Sequence, residues 1–212
     1  MVRTMEQSIA MKSANFTAVH THVSDAVLDG VPVLRVVKGE EKRDLYDENT
    51  YAKANGLPFH NGTIEVRLLS RLLPDAPELA RGFVGIVFRA DENDSEFESF
   101  YLRPANGRAC TDPVRRAHGS QYFSYPGYTF SYFREFGVTQ YEAPADIELN
   151  EWMTLKAVVE DERAEFYLNG AEKPLLTVNK MKHGAGRKGS VGIFVDVGTE
   201  AFVSELKVTC TD

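Results

Sequence analysis

Cysteine and tryptophan are both scarce in this chain of 212 residues, which contains two Cys and one Trp. Two cysteines, Cys110 and Cys210, are too few for a disulfide-built scaffold or for a zinc site made of cysteines. The chain must therefore obtain its stability from a packed core, and 212 residues are enough to bury one.

Long apolar runs are absent as well. The longest stretch without a polar side chain runs from Gly82 to Phe88, far short of the about 20 residues that a membrane-spanning helix needs. The N-terminal residues Met1 to Ser8 contain no apolar segment behind a basic start, so no secretory signal is recognised. We therefore expect a cytoplasmic protein without a membrane partner, and secretion of a longer precursor stays open.

Positive charge is in deficit, since the net charge is −7 and the pI is about 5.3. This balance argues against a nucleic-acid partner, because binding to phosphates requires a basic surface. Hydrophobic residues make up 43% and charged residues 26%, which is typical of a globular domain and excludes disorder. We expect no cofactor and no metal site, and the sequence leaves open whether a structural calcium is present.

Helical periodicity of any length is also missing, whereas strand signals follow one another along the chain. No linker rich in Pro, Gly or Ser divides the sequence. We therefore expect residues 1–14 to form an N-terminal extension and residues 15–212 to form one all-β domain. The predicted strands are 15–23, 33–38, 64–68, 84–89, 97–103, 121–125, 152–160, 164–168, 175–178, 191–197 and 202–209.

The C-terminal third carries the most recognisable pattern. A strand led by Trp152 precedes a Tyr-x-Asn-Gly turn at Tyr167–Gly170, then a Gly-x-Val-Gly-x-Phe strand at Gly189–Phe194 and a closing strand at Phe202–Val208. Together with the upstream Gly82–Arg89 segment, this order resembles the concanavalin A-like lectin/glucanase superfamily, in its laminin-G-like and 3-keto-disaccharide hydrolase-like forms. The resemblance implies an antiparallel β-sandwich jelly roll of two curved sheets, one with a concave face.

The residues of the Trp-led strand are consistent with this fold. Leu155, Ala157 and Val159 share one face of the strand because side chains alternate. Trp152 is expected to supply a large core anchor. The fold itself hosts lectins, glycan hydrolases, polysaccharide lyases and adhesion modules, so the function has to be argued from a site.

Lysine is missing from the middle of the chain, and this absence indicates where a site lies. Every Lys or Arg between Lys53 and Lys156 is an arginine, and 14 of the 23 aromatic residues lie between Phe83 and Tyr141. Arginine offers a planar fork for carboxylates and hydroxyl groups and stacks on aromatic rings. Carbohydrate sites combine aromatic platforms with fixed polar groups of this kind.

Strand parity predicts which of these residues share the concave face. If Ile64, Val66 and Leu68 face the core, the residues between them face outward, and the same argument applies to the strands at 84–89 and 97–103. The candidate ligand-binding residues are Arg67, Arg89, Tyr101, Arg103, Gln121, Tyr122 and Tyr125. The alternative is a solvated sheet face on which arginines pair with carboxylates.

Catalytic candidates are fewer. His118 lies beside Arg115 and Arg116 and could move a proton next to a sugar carboxylate, although an ordinary loop is the simpler interpretation. Glu98 and Glu65 could form a general acid/base pair if the fold brings them together. The acids of residues 92–96 have the spacing of a glucanase signature, but their polar neighbours indicate a turn.

These observations predict a domain that binds a glycan or sugar derivative on its concave face, and the arginines point to an acidic sugar. Two alternatives stay open. One is a glycan-cleaving enzyme, either a glycoside hydrolase or a polysaccharide lyase, that uses the same cleft. The other is a structural or protein-interaction module. The sequence leaves the oligomeric state open.

Overall fold

Alternation of apolar and polar side chains dictates most of the local structure, because successive residues of a strand point to opposite faces. The computed structural model describes residues 4–211. The helices of this part are short, α1 at Pro113–Arg116 and α2 at Phe130–Glu135. The strands are β1 (Thr4–Ile9), β2 (Phe16–Val19), β3 (Thr21–Leu28), β4 (Val31–Lys38), β5 (Tyr51–Phe59), β6 (Gly62–Leu72), β7 (Val84–Ala90), β8 (Phe97–Leu102), β9 (Ser120–Tyr125), β10 (Glu142–Ala143), β11 (Trp152–Glu160), β12 (Arg163–Leu168), β13 (Leu176–Val178), β14 (Gly189–Val195) and β15 (Thr199–Thr211).

The strands form two antiparallel sheets. The eight-stranded sheet has the order β13-β12-β11-β6-β15-β4-β3, and β1 adds to the free side of β15. The seven-stranded sheet has the order β10-β9-β8-β7-β14-β5-β2. The predicted all-β, two-sheet sandwich is confirmed. Within the described residues no helix has the length and hydrophobicity to cross a membrane.

The core lies between the two sheets and follows the predicted parity. Ile64 and Val66 of β6 are buried, as are Leu155 and Ala157 of the neighbouring β11. Between the sheets, the rings of Phe100 and Phe166 stack with centroids 4.1 Å apart. Stacked and edge-on ring pairs of this kind add to the stabilisation that burial of apolar area provides.

Trp152 does not belong to this core, so its expected role as a core anchor is wrong. The inward residues of β11 begin at Met153, and alternation therefore turns Trp152 to the outer face of the eight-stranded sheet. There it packs against a small separate cluster that contains Leu69 and Phe202. The guanidinium of Arg67 lies 4.4 Å from the centre of its ring.

The N-terminal segment also differs from expectation. Residues 1–14 were expected to extend from the domain, but Thr4–Ile9 form β1, which pairs with the C-terminal half of β15. Every residue of β1 from Thr4 to Ser8 is exposed, so no apolar pattern marks it as a strand. Backbone hydrogen bonds to β15 hold it as the edge of the sheet.

Long connections cover the outer face of the seven-stranded sheet. Four covering segments, residues 39–50, 73–83, 103–119 and 126–151, connect longer strands and contain both helices, and the last of them includes the short strand β10. Because they cover this face, outward side chains such as Tyr101, Phe123 and Phe194 are almost fully buried. A sheet face that would otherwise meet solvent thus becomes the floor of an enclosed site.

Candidate functional site

An aromatic layer lines the outer face of the seven-stranded sheet. Tyr101 and Phe123 of β8 and β9 lie on the same face as Phe194 of β14, with ring centroids 5.2 to 5.6 Å apart. Phe97 continues the layer, 5.8 Å from Phe123. This packing makes a rigid floor, because each ring is held in place by the other rings of the layer.

A cavity of about 430 Å³ opens above one end of this floor. Phe83, Tyr101, Arg103 and Asp196 reach it from the ends of β7, β8 and β14. The four covering segments supply its walls. The lining residues of the walls are Tyr46, Asp47, Leu79, Arg81, Asn106, Val114, Arg115, His118, Phe130, Ser131 and Arg134.

Arg103 organises the floor of the cavity and is only 3% exposed. Its Nη2 donates to the hydroxyl oxygen of Tyr101 at 2.6 Å and to Oε1 of Gln121 at 2.5 Å, and Tyr101 donates to the same oxygen at 2.6 Å. Burial alone lowers the pKa of Arg103, but Tyr101 and Glu142 outweigh burial and raise it. Burial raises the pKa of Tyr101 to about 12, so its phenol is neutral and can donate.

One buried carboxylate balances several cations beside the cavity. Glu142 of β10 accepts from Arg103 at 2.8 Å and from Arg134 at 3.0 Å, and its side chain is 2% exposed. Nδ1 of His118 lies 2.9 Å from Oε2 of Glu142, at ion-pair distance but without the alignment of a hydrogen bond. The positive charge at this wall therefore exceeds the negative charge that balances it.

Two further arginines in the cavity wall have no acidic partner among the residues that the structure describes. Arg81 donates to the carbonyl oxygens of Glu78 and Ala80, and Arg115 donates to Asn106 and to the carbonyl oxygen of Ala105. Within residues 4–211 neither forms an ion pair with a carboxylate. Burial and then the charge of Arg115 lower the pKa of Arg81. An anion between them would relieve this repulsion.

The acids that line the cavity are already engaged. Asp196 pairs with the buried Lys38 at 2.6 Å, and its pKa is raised by burial in spite of that lysine. Asp47 accepts hydrogen bonds from the backbone N–H groups of Phe130 and Ser131 at 3.2 and 3.0 Å. The groups still available to a ligand are therefore mainly cationic and aromatic.

Apolar side chains surround the entrance. Tyr46, Leu79, Val114 and Phe130 line the cavity, yet they are 43%, 60%, 68% and 39% exposed. They come from four separate covering segments, so their convergence arises from the fold. Large exposed apolar groups that gather at one opening are a common mark of a binding site.

The structure brings several of the predicted residues together here. Tyr101, Arg103 and His118 line the cavity, and Gln121 holds the first two from behind. Tyr125 lies on the same sheet face and stacks on Phe97 at 5.1 Å, but it does not line the cavity. Their roles in binding or catalysis stay predictions.

Other predicted residues lie elsewhere. Glu65 and Arg67 belong to β6, which is in the eight-stranded sheet, and they face its outer side. The expected single face that joins them to Arg103 therefore does not exist. Parity assigned the correct side of the strand but could not tell which sheet the strand enters.

Strand parity also predicted the wrong orientation for the side chain of Arg89. The pairing of β7 with β14 is irregular beside it, and its φ of +55° turns the side chain away from the face of Tyr101. It is buried and donates to the carbonyl oxygens of His60, Gly184 and Asp161 and to Oδ1 of Asn61. Arg89 thus holds loops at the end of the sandwich, and each of its three guanidinium nitrogens donates to one of them.

Glu98 and Tyr122 point into the sandwich. Tyr122 donates to Oε2 of Glu98 at 2.6 Å, Ser124 donates to the same oxygen, and the backbone N–H of His183 donates to Oε1 at 2.9 Å. The fully buried Glu98 and the outward Glu65 lie in different sheets, so they cannot form the expected acid/base pair. Tyr122 cannot be a stacking platform because its ring is fully buried.

The acidic segment at 92–96 is a turn, as its polar neighbours predicted. It joins β7 to β8, and Asp94 lies in it with a φ of +57°. Asp94 accepts hydrogen bonds from Tyr51 and from Nζ of Lys53, at 2.8 Å for the lysine. These bonds fix the turn to the sheet and leave no row of acids on one strand face.

Sequence reasoning missed the walls of the site. Arg81, Arg115 and Arg134 were visible as members of the arginine-only region, but nothing in the sequence indicates that they converge. Glu142 lies in a two-residue strand without apolar alternation, and no local signal marks it as the buried counter-ion. Long-range contacts alone create this arrangement.

Comparison with known proteins is informative at the level of the fold. No protein-family model and no curated protein sequence matches this chain. A carbohydrate binding module, CBM66 from Bacillus subtilis, superposes with a TM-score of 0.56 at 13% identity, covering 94% of this chain and 93% of the module. A Bacillus subtilis protein of unknown function with a galectin-like fold gives 0.53 at 10% identity, covering 97% and 98%.

A native glycosidic hydrolase gives a TM-score of 0.53 at 11% identity, covering 98% of this chain and 97% of that one. These neighbours share nearly the whole fold with this protein. The resemblance to concanavalin A-like lectins and glucanases is therefore confirmed for the architecture. At sequence identities this low the comparison shows a shared fold only, because proteins with unrelated functions share such folds.

Proposed function

We propose that this protein binds a carbohydrate in the cavity above the seven-stranded sheet. The observation that carries the proposal is the preorganised floor, in which Arg103, Tyr101 and Gln121 form a closed hydrogen-bonded group among stacked rings. Because these side chains are already ordered before binding, little conformational entropy is lost when a ligand binds.

The size and lining of the cavity support this proposal. A volume of about 430 Å³ falls within the range of small-ligand sites and suits one or two sugar units. Phe83 and Phe130 offer ring surfaces for the C–H faces of a sugar, while Asn106, Ser131 and Arg134 offer groups for its hydroxyls. The shared fold with a carbohydrate binding module is consistent with this use.

The proposal is tested by calorimetric titration with a panel of neutral and acidic mono- and oligosaccharides. Phe130→Ala removes a ring from the cavity wall and should weaken the binding saccharide about tenfold. Phe136→Ala is the matched control, because this exposed ring directly follows α2 and lies outside the cavity. Absence of binding across the panel, or equal losses in both variants, would contradict the proposal.

Cleavage of the bound glycan is the second candidate, and one observation favours it. His118 lines the cavity with the Glu142 carboxylate 2.9 Å behind Nδ1, an arrangement in which a carboxylate can orient an imidazole for proton transfer. Incubation with the same panel, followed by assays for reducing ends and unsaturated products, tests this. Binding without product leaves recognition as the function.

A further inference from the structure

The cavity combines two features that a plain neutral polysaccharide would not need. One is the pair of arginines, Arg81 and Arg115, which have no acidic partner in the described part of the chain. The other is the apolar entrance formed by Tyr46, Leu79 and Val114. These features lie in the same opening, so one ligand can satisfy both.

The two arginines are held in adjacent positions. Arg115 donates from Nε to Oδ1 of Asn106 at 3.2 Å and from Nη2 to the carbonyl oxygen of Ala105 at 3.4 Å. The N–H of that same Ala105 donates to the carbonyl oxygen of Arg81 at 3.0 Å. The turn at 104–106 thus connects both guanidinium-bearing residues, and holding two like charges together costs free energy unless an anion binds.

The entrance is apolar on several sides. Leu79 and Val114 leave 60% and 68% of their surfaces in contact with water, although both border the cavity. Phe130 also lines the cavity, and the guanidinium of Arg134 lies 5.0 Å from the centre of its ring. Covering these side chains would remove apolar surface from water, which favours binding in proportion to the area.

We infer that the cavity takes an anionic sugar that carries an apolar substituent, such as an aryl or acyl glycoside of a uronic acid. The carboxylate lies against Arg81 and Arg115, the sugar ring lies over the floor of Tyr101, and the apolar substituent extends to the rim of Leu79 and Val114. This inference rests on the proposed function and specifies the chemical class of its ligand.

Four ligands separate the two contributions, namely the methyl and 4-nitrophenyl glycosides of glucose and of glucuronic acid, and the four matching glycosides of galactose and galacturonic acid repeat the comparison. In titration calorimetry, a glucuronide should bind about tenfold more tightly than the matching glucoside. A 4-nitrophenyl glycoside should bind about tenfold more tightly than the matching methyl glycoside. The aryl uronide should then bind about a hundredfold more tightly than the methyl glycoside of the neutral sugar. The carboxylate gain should shrink when the salt concentration rises from about 0.05 to about 0.5 M.

Substitutions show which residues produce the gain in affinity from the carboxylate and which produce the gain from the aryl group. Arg81→Gln and Arg115→Gln should each lose most of the carboxylate gain and keep the aryl gain, whereas Arg116→Gln, on the same helix but outside this cavity, should keep both. Val114→Ser should lose part of the aryl gain alone. Val27→Ser is its matched control, since Val27 on β3 is exposed to the same degree.

Thermal unfolding of each variant confirms that it is folded before its affinity is compared. If neutral methyl glycosides bind as tightly as aryl uronides, this inference is wrong while the proposed function stands. If no glycoside binds and phenylacetate binds alone, both the inference and the proposed function are wrong. Equal affinity losses in Arg115→Gln and Arg116→Gln would also overturn the inference.

Discussion

Two buried arginines, Arg89 and Arg103, show how the surroundings of a residue decide its role. Both are at most 3% exposed, and Arg89 lies near the end of β7 while Arg103 directly follows β8 in the seven-stranded sheet. Arg103 shares its donors among Tyr101, Gln121 and Glu142 under a cavity. Arg89 donates four hydrogen bonds to backbone and amide oxygens of loops far along the chain.

The first prediction at this scale concerns Arg89→Lys. A lysine ammonium cannot reproduce the planar fork that reaches His60, Asn61 and Asp161, so the free energy of unfolding should fall by about 2–4 kcal/mol. Saccharide affinity should not change. Urea unfolding and calorimetric titration measure the two quantities. Arg187→Lys, at an exposed ion pair with Glu96, is the control and should be nearly neutral.

At the scale of elements, the covering segments build the site, and one contact joins two of them. Asp47 in segment 39–50 accepts from the first N–H groups of α2 and so acts as an N-terminal cap supplied from a distance. The helix is only six residues long and has no capping side-chain bond of its own at Thr129. Its position over the cavity therefore depends on Asp47.

Removal of this cap is the second prediction. Asp47 has a φ of +60°, which glycine tolerates, so Asp47→Gly loses the two hydrogen bonds with little added strain. The free energy of unfolding should fall by about 1 kcal/mol, while amide exchange over residues 130–136 should rise about tenfold. Asp44→Gly, an exposed acid of the same segment, is the control. Unchanged exchange would mean that other contacts hold α2.

At the scale of the whole molecule, three buried tyrosines connect the layers. Tyr101 lies in the floor of the cavity, Tyr51 donates to Asp94 beside the sheet, and Tyr122 donates to Glu98 between the sheets. Burial raises the pKa of all three phenols, to about 12 for Tyr101, and the neighbouring acids raise those of Tyr51 and Tyr122 further. The folded protein therefore keeps these protons at pH values where the unfolded chain loses them.

The third prediction follows from that difference. Stability is fully present below pH 10, where the phenols are neutral in both states, and falls above it because only the unfolded chain ionises. Each tyrosine contributes up to about 1.4 kcal/mol per pH unit, and for Tyr101 the fall ends near its folded pKa of about 12. Urea unfolding at pH 9 to 11 measures the slope. Tyr101→Phe should make it shallower, and Tyr46→Phe, exposed at the rim, should not.

How well the sequence predicted each strand depended on how regularly apolar and polar residues alternate along it. The strand at 152–160 was predicted with the bounds that it has in the structure, because its buried and half-exposed residues alternate along most of its length. The strand β5 was missed because Gly56 and Pro58 interrupt its apolar pattern, yet it pairs along both sides with β2 and β14. Hydrogen-bonded partner strands on both sides thus outweighed the weak local β-propensity of this segment.

The sequence by itself determined the all-β class, the strands that alternate and the region in which arginines and aromatic rings gather. It also placed Tyr101 and Arg103 on the outward side of one strand. Only the tertiary structure decided that Arg67 enters the other sheet, that Arg89 turns away at a bulge and that Arg81 and Arg115 line the same cavity as Tyr101. The physical reason is that alternation acts within a strand, whereas strand order and the course of the covering segments follow from contacts between distant residues.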